Sequence, residues 1–112
     1  MSKTKSMTSY KQRPRDFAYM AWIRELQCCA CEKLRLLNFN QVYAHHAGQR
    51  GTGQKADDRT CIPLCWRHHD RGSSTSIHAL GKRFWAVYGL DRAELIREYN
   101  ERYEAETGRI AA

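Results

Sequence analysis

The sequence predicts a small α+β domain built around a metal ion, with its elements in the order helix, hairpin, loop, helix, helix. Three observations carry this. The chain has 112 residues, enough for one domain but near the lower limit of what a hydrophobic core stabilises without a staple. Cys28 and Cys31 form a C-x-x-C pair, and 34 residues after Cys31 the pair Cys65 and His68 repeats the two-residue gap. The apolar period also changes along the chain, from helical to extended and back to helical.

Residues 1–13 carry Lys3, Lys5, Lys11 and Arg13 with no acid and read as a flexible basic arm. The domain is expected over 14–108, with a metal core at 28–78 and a short tail at 109–112. Between Asp16 and Gln27, the residues Tyr19, Trp22, Ile23 and Leu26 recur at helical spacing, and Asp16 sits where the positive end of a helix favours an acid. The tight turn Cys28-Cys29-Ala30-Cys31 leads into Leu34–Leu37. A second extended run, Gln41–His45, follows Asn38-Phe39-Asn40, so a β-hairpin turning at these three residues is expected. Gly48, Gly51 and Gly53 mark a loop over 48–59, and Cys61–Leu64 reads as one more extended segment. After a polar loop at 71–76, Thr75 or Ser76 can cap a helix carrying Ile77, Leu80, Phe84, Val87 and Tyr88 on one face and stopping at Gly89. The last helix, Asp91–Glu106, places Leu95, Ile96, Tyr99 and Tyr103 on one stripe, with Gly108 beyond it.

Five cysteines, two of them adjacent, make a poor disulfide framework, and no leader-like apolar run is evident. Thiols in a reducing compartment point instead to metal. Two pairs with two-residue gaps suit tetrahedral zinc, because each tight turn aims two ligands at one ion. Cys28, Cys31, Cys65 and His68 are the expected ligands, with Cys29 as the alternative to its neighbour Cys28. Cys61 reads as a buried, small apolar residue. No stretch approaches the roughly 20 apolar residues of a bilayer span, so a soluble cytoplasmic protein with no membrane partner is expected.

Charge indicates the partner. Residues 1–90 hold 15 Lys and Arg against 6 Asp and Glu, a net of +9, whereas 91–112 hold 4 against 6, a net of −2. The basic excess shares its stretch with the cysteines and histidines. A polyanion such as DNA is the natural ligand for it, since phosphate contacts release counterions and give affinity without sequence reading. Arg50, Lys55, Arg59 and Arg67 are the expected phosphate contacts.

All five histidines lie between 45 and 78. His45 and His46 end an extended run, where successive side chains face opposite ways. One can therefore hold a metal while the other reaches substrate. His69 follows the zinc ligand His68, and His78 lies beyond the polar loop. Together with the Cys28/Cys31 pair, the loop carrying Gly51, Thr52, Gly53, Lys55 and Asp58, the run Ile62–Asp70 and the run His78–Trp85, these residues resemble the HNH (His-Me finger, ββα-metal) endonucleases of phages and prophages. They are most similar to the group around the phage recombination-enhancement (Ref-like) nuclease. The resemblance covers roughly residues 14–92.

The resemblance implies a zinc-stapled ββα-metal core with flanking helices and a metal-dependent DNA endonuclease of little sequence specificity. It makes His46 the general base and His45, His69 and His78 ligands of a catalytic Mg²⁺, Mn²⁺, Ni²⁺ or Zn²⁺. A recombinase filament or another recombination protein is the implied partner, and the host cytoplasm the implied location for a phage-encoded protein. The family's middle Asn falls near Thr60, leaving Asp58 to substitute for it or to orient the base. Residues 71–76 lengthen the gap before His78. The chemistry is consistent with the residue types, since imidazole, with an unperturbed pKa of about 6.5, accepts a proton from water near neutral pH. A zinc-binding DNA or protein adaptor with a degenerate site is the alternative. Phe84, Trp85 and Tyr88 read as core, with base stacking reserved for Trp66 or Trp85 if exposed.

Overall fold

Asp16 starts the first helix, its carboxylate accepting a hydrogen bond from the Tyr19 amide. This helix, α1 (Phe17–Arg24), buries Tyr19, Met20 and Ile23 against the sheet. The computed structural model describes residues 15–48 and 57–109. Of the sequence expectations, the basic arm 1–13, most of the glycine-rich loop with Arg50, Gly51, Thr52, Gly53 and Lys55, and the tail beyond 109 lie outside the described residues.

Cys28 caps the short helix α2 (Cys29–Lys33), its sulfur accepting from the Cys31 amide. The helix ends in a Schellman-type closure, in which the Leu36 amide donates to the Cys31 carbonyl at 2.8 Å and the Arg35 amide to that of Glu32 at 3.0 Å. Arg35 occupies the left-handed position, φ 61°, that glycine usually takes. This closure changes the expected hairpin. Leu34–Leu37 forms a helix end, and Leu36, Leu37 and Phe39 are left exposed.

The sheet instead pairs β1 (Val42–His46) with β2 (Cys61–Cys65), antiparallel, with Val42 opposite Cys65 and His46 opposite Cys61. A 3-10 turn at Asp58–Thr60 leads directly into β2. All of β2 is buried, as its unbroken apolar run suggests. Pro63 is tolerated because each strand of a two-stranded sheet is an edge, so a missing N–H costs no second partner.

The chain then enters α3 (Trp66–His69), α4 (Ile77–Leu80), α5 (Arg83–Tyr88) and α6 (Arg92–Thr107). Ser76, rather than Thr75, caps α4 by accepting from the Ala79 amide. One helix was expected over 77–88, but Gly81 divides it at φ 60°, ψ −135°, a conformation open to glycine alone. That break turns α5 so that Phe84 is fully buried, edge-on to Trp85. Helix α6 runs to Gly108 and delivers Tyr99 and Tyr103 to the core, where Tyr103 meets Tyr19 edge-to-face at 5.0 Å. The α+β arrangement is therefore present, with helices packed around a two-stranded sheet. No helix among the described residues is long and apolar enough to cross a membrane.

Candidate functional site

The base of the sheet and two helix ends build a closed four-ligand cluster. Cys28 and Cys31 come from the α2 turn, Cys65 ends β2, and His68 lies on α3; all four are buried. The Cys31 and Cys65 sulfurs are 3.8 Å apart, and Nδ1 of His68 lies 3.5, 3.6 and 3.4 Å from the sulfurs of Cys28, Cys31 and Cys65. Zinc at about 2.3 Å from sulfur and about 2.0 Å from nitrogen gives tetrahedral edges of about 3.8 Å (S–S) and about 3.5 Å (S–N). These four edges match those of a zinc tetrahedron.

Burial pushes the Cys28 thiol up, and burial together with the Cys28 and Cys65 neighbours pushes Cys31 up to about 12. Burial, with a smaller contribution from Arg67, holds His68 below the ordinary imidazole range, in the neutral form that binds metal. A metal bound here would displace the thiol protons, and the thiolates so formed would be stabilised by the cation between them. These residues can hold a metal such as zinc, with Cys28 in the ligand set. Cys29 points elsewhere, lining a cleft with Tyr99 and Leu95. Cys61 is fully buried in the core, as its apolar setting suggests.

A second cluster lies on the face of β1 that meets α3. Successive β1 side chains alternate faces, so Tyr43 and His45 share this one. Tyr43 stacks on His69 with ring centroids 5.1 Å apart at 19°. His45, His69 and His78 converge, with centroids 5.2, 5.5 and 4.8 Å apart, and each offers a ring nitrogen within 4.8 Å of the others. His45 and His69 are half-buried and His78 is exposed, so the set opens to solvent on one side. Burial, and then His78, lower the pKa of His69, which favours the neutral ligand form. The longer 71–76 loop does not displace His78, because the Ser76 cap starts α4 beside α3.

His46 faces the other way. Its Nε2 lies 2.9 Å from Oδ1 of Asp58, a fully buried carboxylate. The other Asp58 oxygen accepts from the Asp16 amide at 2.8 Å and from Arg15 Nε at 3.2 Å. Asp58 thus fixes the His46 ring, and Arg15 and Asp16 fix Asp58. The faces reunite at the strand end, where His45 and His46 line one cavity of about 540 Å³ with Ala47, Ile77, Gly81, Lys82, Trp85 and Arg92.

Two expected site residues have other roles. Thr60 donates its hydroxyl to the Asp57 carbonyl at 2.6 Å and packs on Gly48, where an added Cβ would come within 2.5 Å of its Cγ2. Position 60 therefore shapes the turn that leads into β2. Arg59 was expected on phosphate, but it is only 8% exposed. Its Nε binds Asp16 at 2.7 Å, its Nη1 reaches Asn100 and Glu104, and its guanidinium lies over the rings of Tyr19 and Tyr103. A cation so committed is unavailable to a polyanion. Arg67 stays exposed, and Arg50 and Lys55 lie outside the described residues.

Sequence reasoning missed Tyr43, Arg15, Lys82 and Arg92. The two-residue period from His45 could have found Tyr43. The other three are distant in sequence from their partners, and only the fold brings them together.

Residues 4–104 match the model of a protein family described as being of unknown function, DUF968. The chain belongs to this family. No curated protein and no solved structure matches it. In this DUF968 protein, a closed four-ligand cluster and an open histidine cluster therefore lie side by side on one small sheet, and the chemistry has to be read from the residues themselves.

Proposed function

We propose that this DUF968 protein is a metal-dependent endonuclease of the HNH, ββα-metal type, cutting DNA phosphodiester bonds with little sequence specificity. One observation carries the reading: His45, His69 and His78 converge from β1, α3 and α4 within 4.8 Å, next to a histidine braced by a buried carboxylate. The order strand, strand, helix from β1 to α3 and the resemblance of residues 14–92 to phage nucleases support the same class. So does the basic excess of residues 1–90.

The residues divide the work. His46, with Nε2–H donated to Asp58, keeps Nδ1 as the basic atom that takes a proton from water. The water oxygen then attacks phosphorus, and the bond to the 3′ oxygen breaks. Asp58 is a positioning residue, holding the tautomer and ring orientation. Imidazoles 45, 69 and 78 would hold a divalent cation, which when bound supplies counter-charge for the phosphate and the departing oxygen. Three ligands with an open side leave room for that phosphate. Mn²⁺, Ni²⁺ and Zn²⁺ suit an imidazole shell better than Mg²⁺ does.

The test is nicking of supercoiled plasmid by the zinc-loaded protein with each of these ions, alongside His46→Ala. The native chain is expected to nick, and His46→Ala to be slower by roughly 10²–10⁴-fold at unchanged fold. Inactivity of the native protein with every ion, while DNA binding persists, would favour a zinc-stapled adaptor and end the nuclease reading.

A further inference from the structure

The cavity beside the histidines has a mixed lining. Lys82 and Arg92 join His45 and His46 there, together with Ala47, Ile77, Gly81 and the half-buried Trp85. Arg92 is anchored, its Nη1 donating to the Ala47 carbonyl at 2.9 Å, so its charge is held at the end of β1. The buried Phe84 packs edge-on against Trp85, with ring centroids 5.2 Å apart. At about 540 Å³ the cavity falls within the roughly 300–1,000 Å³ of pockets that enclose a small ligand.

Stacked duplex DNA presents phosphates and groove edges to a protein, and would use the cationic lining residues alone. Apolar lining with an indole is used when a base or sugar leaves the stack and enters. We infer that the cavity takes one unpaired nucleotide, with its phosphate on Lys82 and Arg92 and its base against Trp85. The substrate class is therefore single-stranded DNA, or a single-stranded segment within a duplex. This rests on the nucleic-acid part of the proposed function and goes beyond it by naming the strand state and the roles of Lys82, Trp85 and Arg92.

The test reads binding, not cleavage. Zinc-loaded protein without added divalent ion is titrated into fluorescein-labelled oligo(dT) of about 20 nucleotides, longer than one such site, and into a duplex of equal length. Single-strand binding is expected to be tighter. Trp85→Ala should weaken it by roughly tenfold, leave duplex binding within about twofold, and be rescued by Trp85→Phe. Lys82→Ala should weaken binding to both and lower the slope of log K against log salt by about one. Equal or tighter duplex binding, or equal losses on both ligands in Trp85→Ala, overturns the inference. A misfolded Trp85→Ala leaves Trp85→Phe and the native strand preference to decide. Nicking without strand preference would sink this inference and spare the nuclease. Single-strand binding of this pattern without nicking would do the reverse.

Discussion

The two histidine-containing clusters sit on the same sheet and share neighbouring residues of α3, yet they differ in closure. His68 points into a buried set of three thiols whose edges fit a tetrahedron. His69, the next residue, points to a half-open set of imidazoles beside a cavity. A closed, buried set leaves no coordination position for a reactant, so a metal held there would stabilise the fold. An open set spends less on stability and leaves a position for water or phosphate. The two sets thus differ in both closure and ligand identity, and under the proposed function closure assigns one to scaffold and the other to chemistry.

The largest effects are expected at the closed cluster. Cys65→Ser, or metal removal by a strong chelator, is expected to abolish the cooperative thermal transition, because structural zinc contributes on the order of 10 kcal/mol to folding of small domains. Circular dichroism melts with metal analysis check this. Cys29→Ser, one residue from a ligand, should keep one zinc per chain. Retention of a normal melt after zinc loss would show that the clamp is dispensable.

At the open cluster the expected pattern is inverted. His69→Ala should lower metal-dependent nicking by about 10²-fold while costing at most about 1 kcal/mol in stability, since the residue is only half-buried. Activity and urea denaturation measured on the same preparation test this. A variant that unfolds like Cys65→Ser would mean that both clusters are structural.

Smaller effects sharpen the comparison at the edges of each cluster. Gly48→Ala places a Cβ within 2.5 Å of the Thr60 side chain and should cost about 1–3 kcal/mol through overpacking, relieved in part by Thr60→Ser. A double-mutant cycle in urea reads the coupling. Arg35→Gly, at the left-handed closure of α2, should stabilise by up to about 1 kcal/mol, because glycine adopts that conformation without steric cost. A lower denaturation midpoint for this variant would assign Arg35 a contact that outweighs its backbone strain.

The first and last helices, several caps and stops, and the four residues of the clamp were legible in the sequence because each is a local signal. Period, cap residue and two-residue ligand gaps all act within a few positions. Asp16, Ser76, Gly89 and Gly108 end their elements where local chemistry places them. The hairpin was misplaced because the Leu34–Leu37 run has the composition of a strand, while the cysteine turn before it imposes a helix and a closing bend. Arg59 was misassigned because its charge is visible in sequence and its partners Asp16, Asn100 and Glu104 are not.

By itself, then, the sequence determined the turns that carry the Cys and His pairs, the buried stripes of the first and last helices and the concentration of histidines between 45 and 78, but not the 77–88 face, where Val87 is exposed. Only the tertiary structure decided which strand pairs with β1, which of Cys28 and Cys29 completes the clamp, and which carboxylate braces His46. It also decided that Lys82, Trp85 and Arg92 border the histidines. The physical reason is range. Hydrogen-bond caps and ligand spacings act over a few residues of chain, whereas charge pairing and cavity walls depend on distances in space that the packing of α1, α5 and α6 around the sheet sets.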